Sequence, residues 1–193
     1  MKEIDTLIAK AIKYKESGLS DYEIGEELNI SKDTATWLLA RGKKEKPEGE
    51  VKIGWRSIGI YPNRIRSIAD ALTDIILEEI EKKNLQVDTI VGIAINGIPY
   101  ALYIADALCL ELAVFRPSHD KSGAFSSNYA TVKDKNVVII DDVVGSGETF
   151  KRAIKALKNE KATPVLCVAI INKKSHNDVQ GVPLRALIRA RAI

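Results

Sequence analysis

Only two cysteines occur in this chain of 193 residues. Cys109 and Cys167 sit inside the apolar runs LCL and VLCVAII, which predicts two buried thiols in a reducing cytoplasm. No disulfide framework and no CxxC metal signature can be built from them. Histidine is equally scarce. His119 and His176 stand alone in polar stretches without ligand spacing and read as surface residues. No apolar run approaches the roughly 18 residues of a membrane span. The opening MKEIDTLIAK mixes charges with an amphipathic pattern, unlike a secretory signal. The net charge of +3 is too small to imply a nucleic-acid partner by itself. Internal repeats and low-complexity segments are also missing.

What remains is a globular composition, with 46% hydrophobic and 28% charged residues, enough to bury a core. The stretch GKKEKPEGE, residues 42–50, has no apolar periodicity and reads as a linker. The expected organisation is a small all-α domain over 1–43, a linker over 44–50 and a larger domain over 51–193.

In the first part Ile4, Leu7, Ile8, Ala11 and Ile12 recur at helical spacing, which predicts a helix over 3–16 stopped by Gly18. Ser20 N-caps a second helix, with Glu23 completing a capping box and Tyr22, Ile24 and Leu28 expected inside. Ser31 caps a third, over 32–41, whose inner face is Ala35, Leu38 and Leu39. The stretch SGLSDYEIGEELNISKDTATWLLARG thus has the layout of a helix-turn-helix, with small Gly25 at the crossing and Ile30 plugging the turn. Its base-facing residues would be Lys32, Asp33, Thr34 and Thr36, with Arg41, Lys43, Lys44 and Lys46 on phosphates.

Charge is polarised along this part. Residues 1–30 carry four basic and seven acidic residues (4 − 7 = −3), and residues 31–46 five basic and two acidic (5 − 2 = +3). A basic reading face backed by an acidic outer face suits groove binding of double-stranded DNA. A three-helix bundle for docking or dimerisation is the plain alternative. Trp37 and Trp55 read as packing residues.

The larger part alternates strand and helix patterns. Residues 51–60 read as strand-like or irregular. Helices are expected at 63–83, 98–110 and 148–159, and strands at 87–95, 112–116, 137–141, 164–171 and 183–188. Near-continuous apolar strands between helices indicate a parallel sheet covered on both faces, an α/β class. Ligands of such sheets gather at the carboxyl ends of the strands. VVIIDDVVGSGETF, residues 137–150, has that position. Backbone N–H groups of Val144, Gly145, Ser146, Gly147 and Glu148 can ring an anion, and Ser146 and Thr149 add hydroxyls. The Walker lysine and the GxGxxG pattern are both absent. Asp141 and Asp142 would repel phosphate, so they call for sugar hydroxyls or Mg²⁺ beside it.

These residues resemble the phosphoribosyl-diphosphate (PRPP) motif of type I phosphoribosyltransferases, and the resemblance runs from about residue 51 to the C-terminus. VGIAINGIPYALYIADAL, residues 91–108, is similar to the pyrophosphate-contacting strand, loop and helix of orotate-type members, with Asn96 and Gly97 in the loop. The resemblance implies that Asp141 and Asp142 hold the ribose hydroxyls, that residues 145–149 hold the 5′-phosphate, and that Mg²⁺ arrives with PRPP rather than on a direct protein site. It also implies that KIGWRSIGIYPNRI forms a hood over the base site, where Arg56 could face the ligand, with the C-terminal GVPLRALIRARAI sharing in base specificity.

The mobile catalytic loop of the orotate enzymes carries lysines and a His-Gly pair. Here FRPSHDKSGAFSSNYATV, residues 115–132, places Pro117, Asp120 and Ser122 at those positions and leaves Arg116, a displaced Lys121 and Gly123. Cations aimed at departing pyrophosphate are missing, so binding without efficient turnover is expected. The whole chain resembles the archaeal GfcR-type regulators, which join an N-terminal helix-turn-helix to such a domain. Two functions follow from these resemblances. The first is a cytoplasmic homodimeric transcriptional regulator sensing PRPP or a nucleotide. The second is an active phosphoribosyltransferase using PRPP and Mg²⁺, with Arg116 and Lys121 as its catalytic cations.

Overall fold

The computed structural model describes residues 2–28, 30–42, 53–118 and 123–190. The chain divides into two compact units, Met1–Glu50 and Val51–Ala192.

The first unit holds helices α1 (Lys2–Glu16), α2 (Asp21–Glu27) and α3 (Lys32–Gly42). Gly18, at φ +91°, ends the first turn-out as a residue without Cβ can. The Ser20–Glu23 capping box forms in both directions, and the Ser31 hydroxyl accepts the Thr34 N–H at 3.1 Å. Ala11, Ile24, Ala35, Leu38 and Leu39 make the core, with Leu28 and Ile30 packed beside it. A Cβ on Gly25 would lie 2.9 Å from the Ile30 carbonyl oxygen, so the turn into α3 crosses where only glycine leaves room. Tyr22 corrects the expected inner face of α2, being exposed. It stands two residues, about 200° of helix, from inward-facing Ile24. Trp37 is likewise exposed, two residues from Ala35, and carries the Arg41 guanidinium 4.9 Å over its ring.

The second unit contains α4 (Arg56–Gly59), α5 (Pro62–Lys83), β1 (Thr89–Ile93), α6 (Ile98–Leu108), β2 (Glu111–Pro117), β3 (Gly123–Phe125), β4 (Asn136–Val144), α7 (Glu148–Asn159), β5 (Thr163–Asn172), β6 (Asp178–Val179) and β7 (Val182–Arg189). The sheet order is β3-β2-β1-β4-β5-β7-β6. The five central strands run parallel, and β3 and β6 pair antiparallel at the margins.

Strand pleat sorts the core into two layers. Val137, Ile139, Cys167 and Ala169 pack with Phe150, Ala153, Ile154 and Leu157 of α7. Val138, Ile140, Leu166 and Val168 pack with Leu72 and Ile76 of α5 and Tyr100, Ala101 and Ile104 of α6. Residues 53–60 do not continue the strand pattern, since Arg56–Gly59 is a helical turn, and Val51 and Lys52 lie outside the described residues. Cys167 is buried as expected, but Cys109 is exposed. It caps α6 at φ 52°, and this left-handed turn swings its side chain out of the apolar run around it. No helix among the described residues is long and apolar enough to cross a membrane.

Candidate ribose phosphate site

Chain order reverses between β1 and β4. From β1 the chain passes outward to β2, whereas β4 lies on its other side. The crevice above such a switch point is where open α/β sheets bind ligands. Two loops rise there, residues 94–97 after β1 and residues 145–147 after β4.

The first loop presses onto the sheet. A Cβ on Gly97 would lie 2.3 Å from the Ile140 carbonyl oxygen and 2.9 Å from the Ile93 nitrogen. Only glycine permits that approach. It brings Asn96 within reach of β4, where its Nδ2 donates to Asp142 Oδ2 at 2.9 Å.

The acidic pair ends the apolar part of β4. Asp141 and Asp142 are 8% and 9% exposed, low for two adjacent carboxyl groups. Asp141 Oδ1 accepts the Asp142 N–H at 2.9 Å, and Asp142 Oδ1 accepts the Val143 N–H at 2.8 Å. The Trp55 indole N–H donates to Asp142 Oδ2 at 2.7 Å. Burial, reinforced by the neighbouring Asp142 charge, raises the Asp141 carboxyl to about 8 against the opposing Asp142 N–H bond. Tyr100 is fully buried, and its ring meets Trp55 edge-on at 5.8 Å. Its hydroxyl has no hydrogen-bond partner among the described residues. Burial, and then the Asp142 charge, push that hydroxyl up to about 12.

The second loop is open to solvent. Gly145, Ser146 and Glu148 are exposed, Thr149 is half-buried, and Val144 is buried in the α7 layer. Gly147 adopts φ +80° at the start of α7, and the Ser146 hydroxyl accepts the Glu148 N–H at 3.4 Å. The N-terminus of α7 faces the same space, and its dipole favours negative charge. Lys174, from the segment after β5, reaches over this loop. Its Nζ lies 3.1 Å from where a Gly147 Cβ would stand.

Asn96, Gly97, Asp141 and Asp142 therefore come together at one crevice, with the loop 144–149 beside them. Arg116 is exposed on β2, opposite Ala124 of β3 and one strand beyond β1. Gly123 serves packing, because a Cβ there would sit 2.2 Å from the Phe115 ring. Lys121, with His119, Asp120 and Ser122, lies outside the described residues. His176 is exposed, as expected. Arg56 is exposed in α4. In the three-helix unit Lys32, Asp33, Thr34, Thr36 and Arg41 are all exposed. Three of them are engaged: Thr36 donates to Asp21 of α2 at 2.9 Å, Thr34 meets the Ser31 hydroxyl at 2.8 Å, and Arg41 lies over the Trp37 ring. Lys43, Lys44 and Lys46 lie outside the described residues.

Sequence reasoning missed the site roles of Trp55, Tyr100 and Lys174. Trp55 does pack, as expected, but it also donates to the acidic pair. Lys174 belongs to a Lys-Lys step directly after an apolar strand, which is the signal that places it at a carboxyl end.

Residues 55–180 match the family model described as "Phosphoribosyl transferase domain". A Thermoplasma acidophilum protein named transcriptional regulator GfcR is 50% identical over 195 residues, covering 100% of this chain and 98% of its own length. A Picrophilus torridus protein of the same name is 46% identical over 191 residues, covering 98% of each. Among solved structures, orotate phosphoribosyltransferase from Aeropyrum pernix aligns with a TM-score of 0.57 at 20% identity, over 72% of this chain and 78% of that one. That likeness establishes the fold, a type I phosphoribosyltransferase-like α/β sheet preceded by helices. The chain belongs to the phosphoribosyl transferase domain family and, along its whole length, to the family whose members are named transcriptional regulator GfcR.

Proposed function

We propose that the chain is a DNA-binding transcriptional regulator whose sheet unit senses PRPP or a related nucleotide or sugar phosphate. The observation that carries this reading is the end-to-end match, at 50% identity, to a protein named transcriptional regulator. The three-helix unit is matched together with the sheet unit. In this reading α3 enters the major groove with Lys32 and Asp33 leading, and Arg41 with Lys43 and Lys44 holds phosphates. Asp141 and Asp142 hold ribose hydroxyls, the loop 144–149 holds the 5′-phosphate, and Asn96 and Gly97 border the diphosphate. A homodimer would present two reading helices to a two-fold operator.

The acidic pair supplies hard oxygen donors, but two N–H groups already occupy Asp142 Oδ2. Mg²⁺ would therefore come bound chiefly to the diphosphate and sugar oxygens, as this ion prefers, with Asp141 and Asp142 nearby. It would neutralise the diphosphate. Turnover needs cations aimed at that leaving group. Pro117 stands where the orotate enzymes carry a lysine, and this favours a receptor over a transferase.

The test is recovery of DNA from a fragmented genome by the purified protein. Specific fragments are expected, lost in Lys32→Ala and Arg41→Ala and weakened or strengthened by PRPP with Mg²⁺. PRPP consumption with a base at rates typical of enzymes, without DNA recovery, would replace this reading with an active phosphoribosyltransferase.

A further inference from the structure

Asp142 Oδ2 is fully subscribed. A carboxylate oxygen offers about two lone-pair sites, and the Asn96 amide and the Trp55 indole fill both, at 2.9 and 2.7 Å. The two donors differ in kind. Asn96 belongs to the loop pinned on β4 by Gly97. Trp55 comes from a segment 87 residues away in sequence, at the head of a single helical turn with no side-chain cap. Its place is nonetheless built. A Cβ on Gly59 would lie 2.7 Å from the indole Cζ3, so α4 has a glycine where the ring folds back, and the Tyr100 ring meets the indole edge-on.

We propose that Trp55 is an internal competitor for the sugar: its indole N–H holds the oxygen that a ribose hydroxyl would take, so occupancy of the site displaces Trp55 and moves residues 53–60. The inference rests on the ribose phosphate reading of Asp142 given above. An indole N–H and a sugar hydroxyl are both single donors to a buried carboxylate. Both cannot bond an oxygen whose second site stays with Asn96. A hydroxyl that takes Asp142 Oδ2 therefore loses affinity to Trp55, and displaces the segment 53–60 when it wins. Displacement also uncovers the Tyr100 ring behind the indole.

The experiment uses the full chain carrying Trp37→Phe, which leaves Trp55 as the sole tryptophan of the two. Ribose 5-phosphate, and PRPP with Mg²⁺, are titrated while emission and heat are both recorded. Emission is expected to move to longer wavelength and saturate together with the heat. Trp55→Phe, which keeps a ring against Gly59 and Tyr100, is expected to bind about tenfold tighter, the scale of one hydrogen bond to a charged group. Binding seen by heat with unmoved emission and unchanged Trp55→Phe affinity overturns the competitor role and leaves the ribose phosphate reading intact. Failure of both compounds to bind either protein at millimolar concentration overturns both.

Discussion

Gly97 rides on the carbonyl of Ile140 so closely that a methyl group on its α-carbon would stand 2.3 Å from that oxygen. The contact joins the loop after β1 to the strand carrying the acidic pair. Gly97→Ala must lift the loop and part Asn96 from Asp142. Overpacking of this kind costs about 1–3 kcal/mol. Thermal unfolding should shift down accordingly, and calorimetry should show loss of ribose 5-phosphate binding beyond what the stability change explains.

Asp141 gives a pH signature of stability. Its carboxyl is held at about 8, above the usual 3.8, mainly by burial. The folded chain thus binds this proton more tightly than the unfolded chain. The stability it brings is full below the ordinary carboxylate range and is lost as pH rises through 8. Asp141→Asn removes the buried charge, so its melting temperature should hold steady where the parent's falls, from about pH 4 to about pH 8. A tenfold change in proton affinity is worth about 1.4 kcal/mol, which puts the difference above pH 8 on the order of a few kcal/mol. Parallel pH dependences of parent and variant would refute the assignment.

Lys174 should strengthen phosphate binding. Its ammonium hangs over Gly147 at the mouth of the anion loop. In Lys174→Ala, ribose 5-phosphate affinity should fall about tenfold at low salt, as for a charge-assisted contact, and the gap should narrow as salt is added. A salt-independent loss would point to a packing role instead.

Gly25 separates the two proposed activities. Alanine there meets the Ile30 carbonyl at 2.9 Å and forces α2 and α3 apart. DNA retention should disappear in Gly25→Ala, while sugar phosphate binding, housed in the other compact unit, keeps its parent affinity.

Local chemistry made most of the elements legible. The Ser20–Glu23 box, the apolar run into Asp141 and the helical period over 63–83 each carry their signal within a few residues. The short margins β3 and β6 do not, because strands of three and two residues have no readable alternation. Tyr22, Trp37 and Cys109 were misjudged where an apolar residue stood beside a correct inner face and residue type outweighed angular position. At the site, Asn96, Gly97, Asp141 and Asp142 were readable as a pattern. Trp55 on Asp142 was not, since nothing local in GWRS encodes a partner 87 residues away.

Both margins of the sheet end in those short antiparallel strands. An unpaired strand offers a row of free amides and carbonyls to any chain that can zip onto it. Here Gly123–Phe125 covers only Phe115–Pro117 of β2, and Asp178–Val179 covers only Val182 and Pro183 of the eight-residue β7. Among the described residues, the outer edge of β7 after Leu184 is thereby the part of the sheet left open to strand addition.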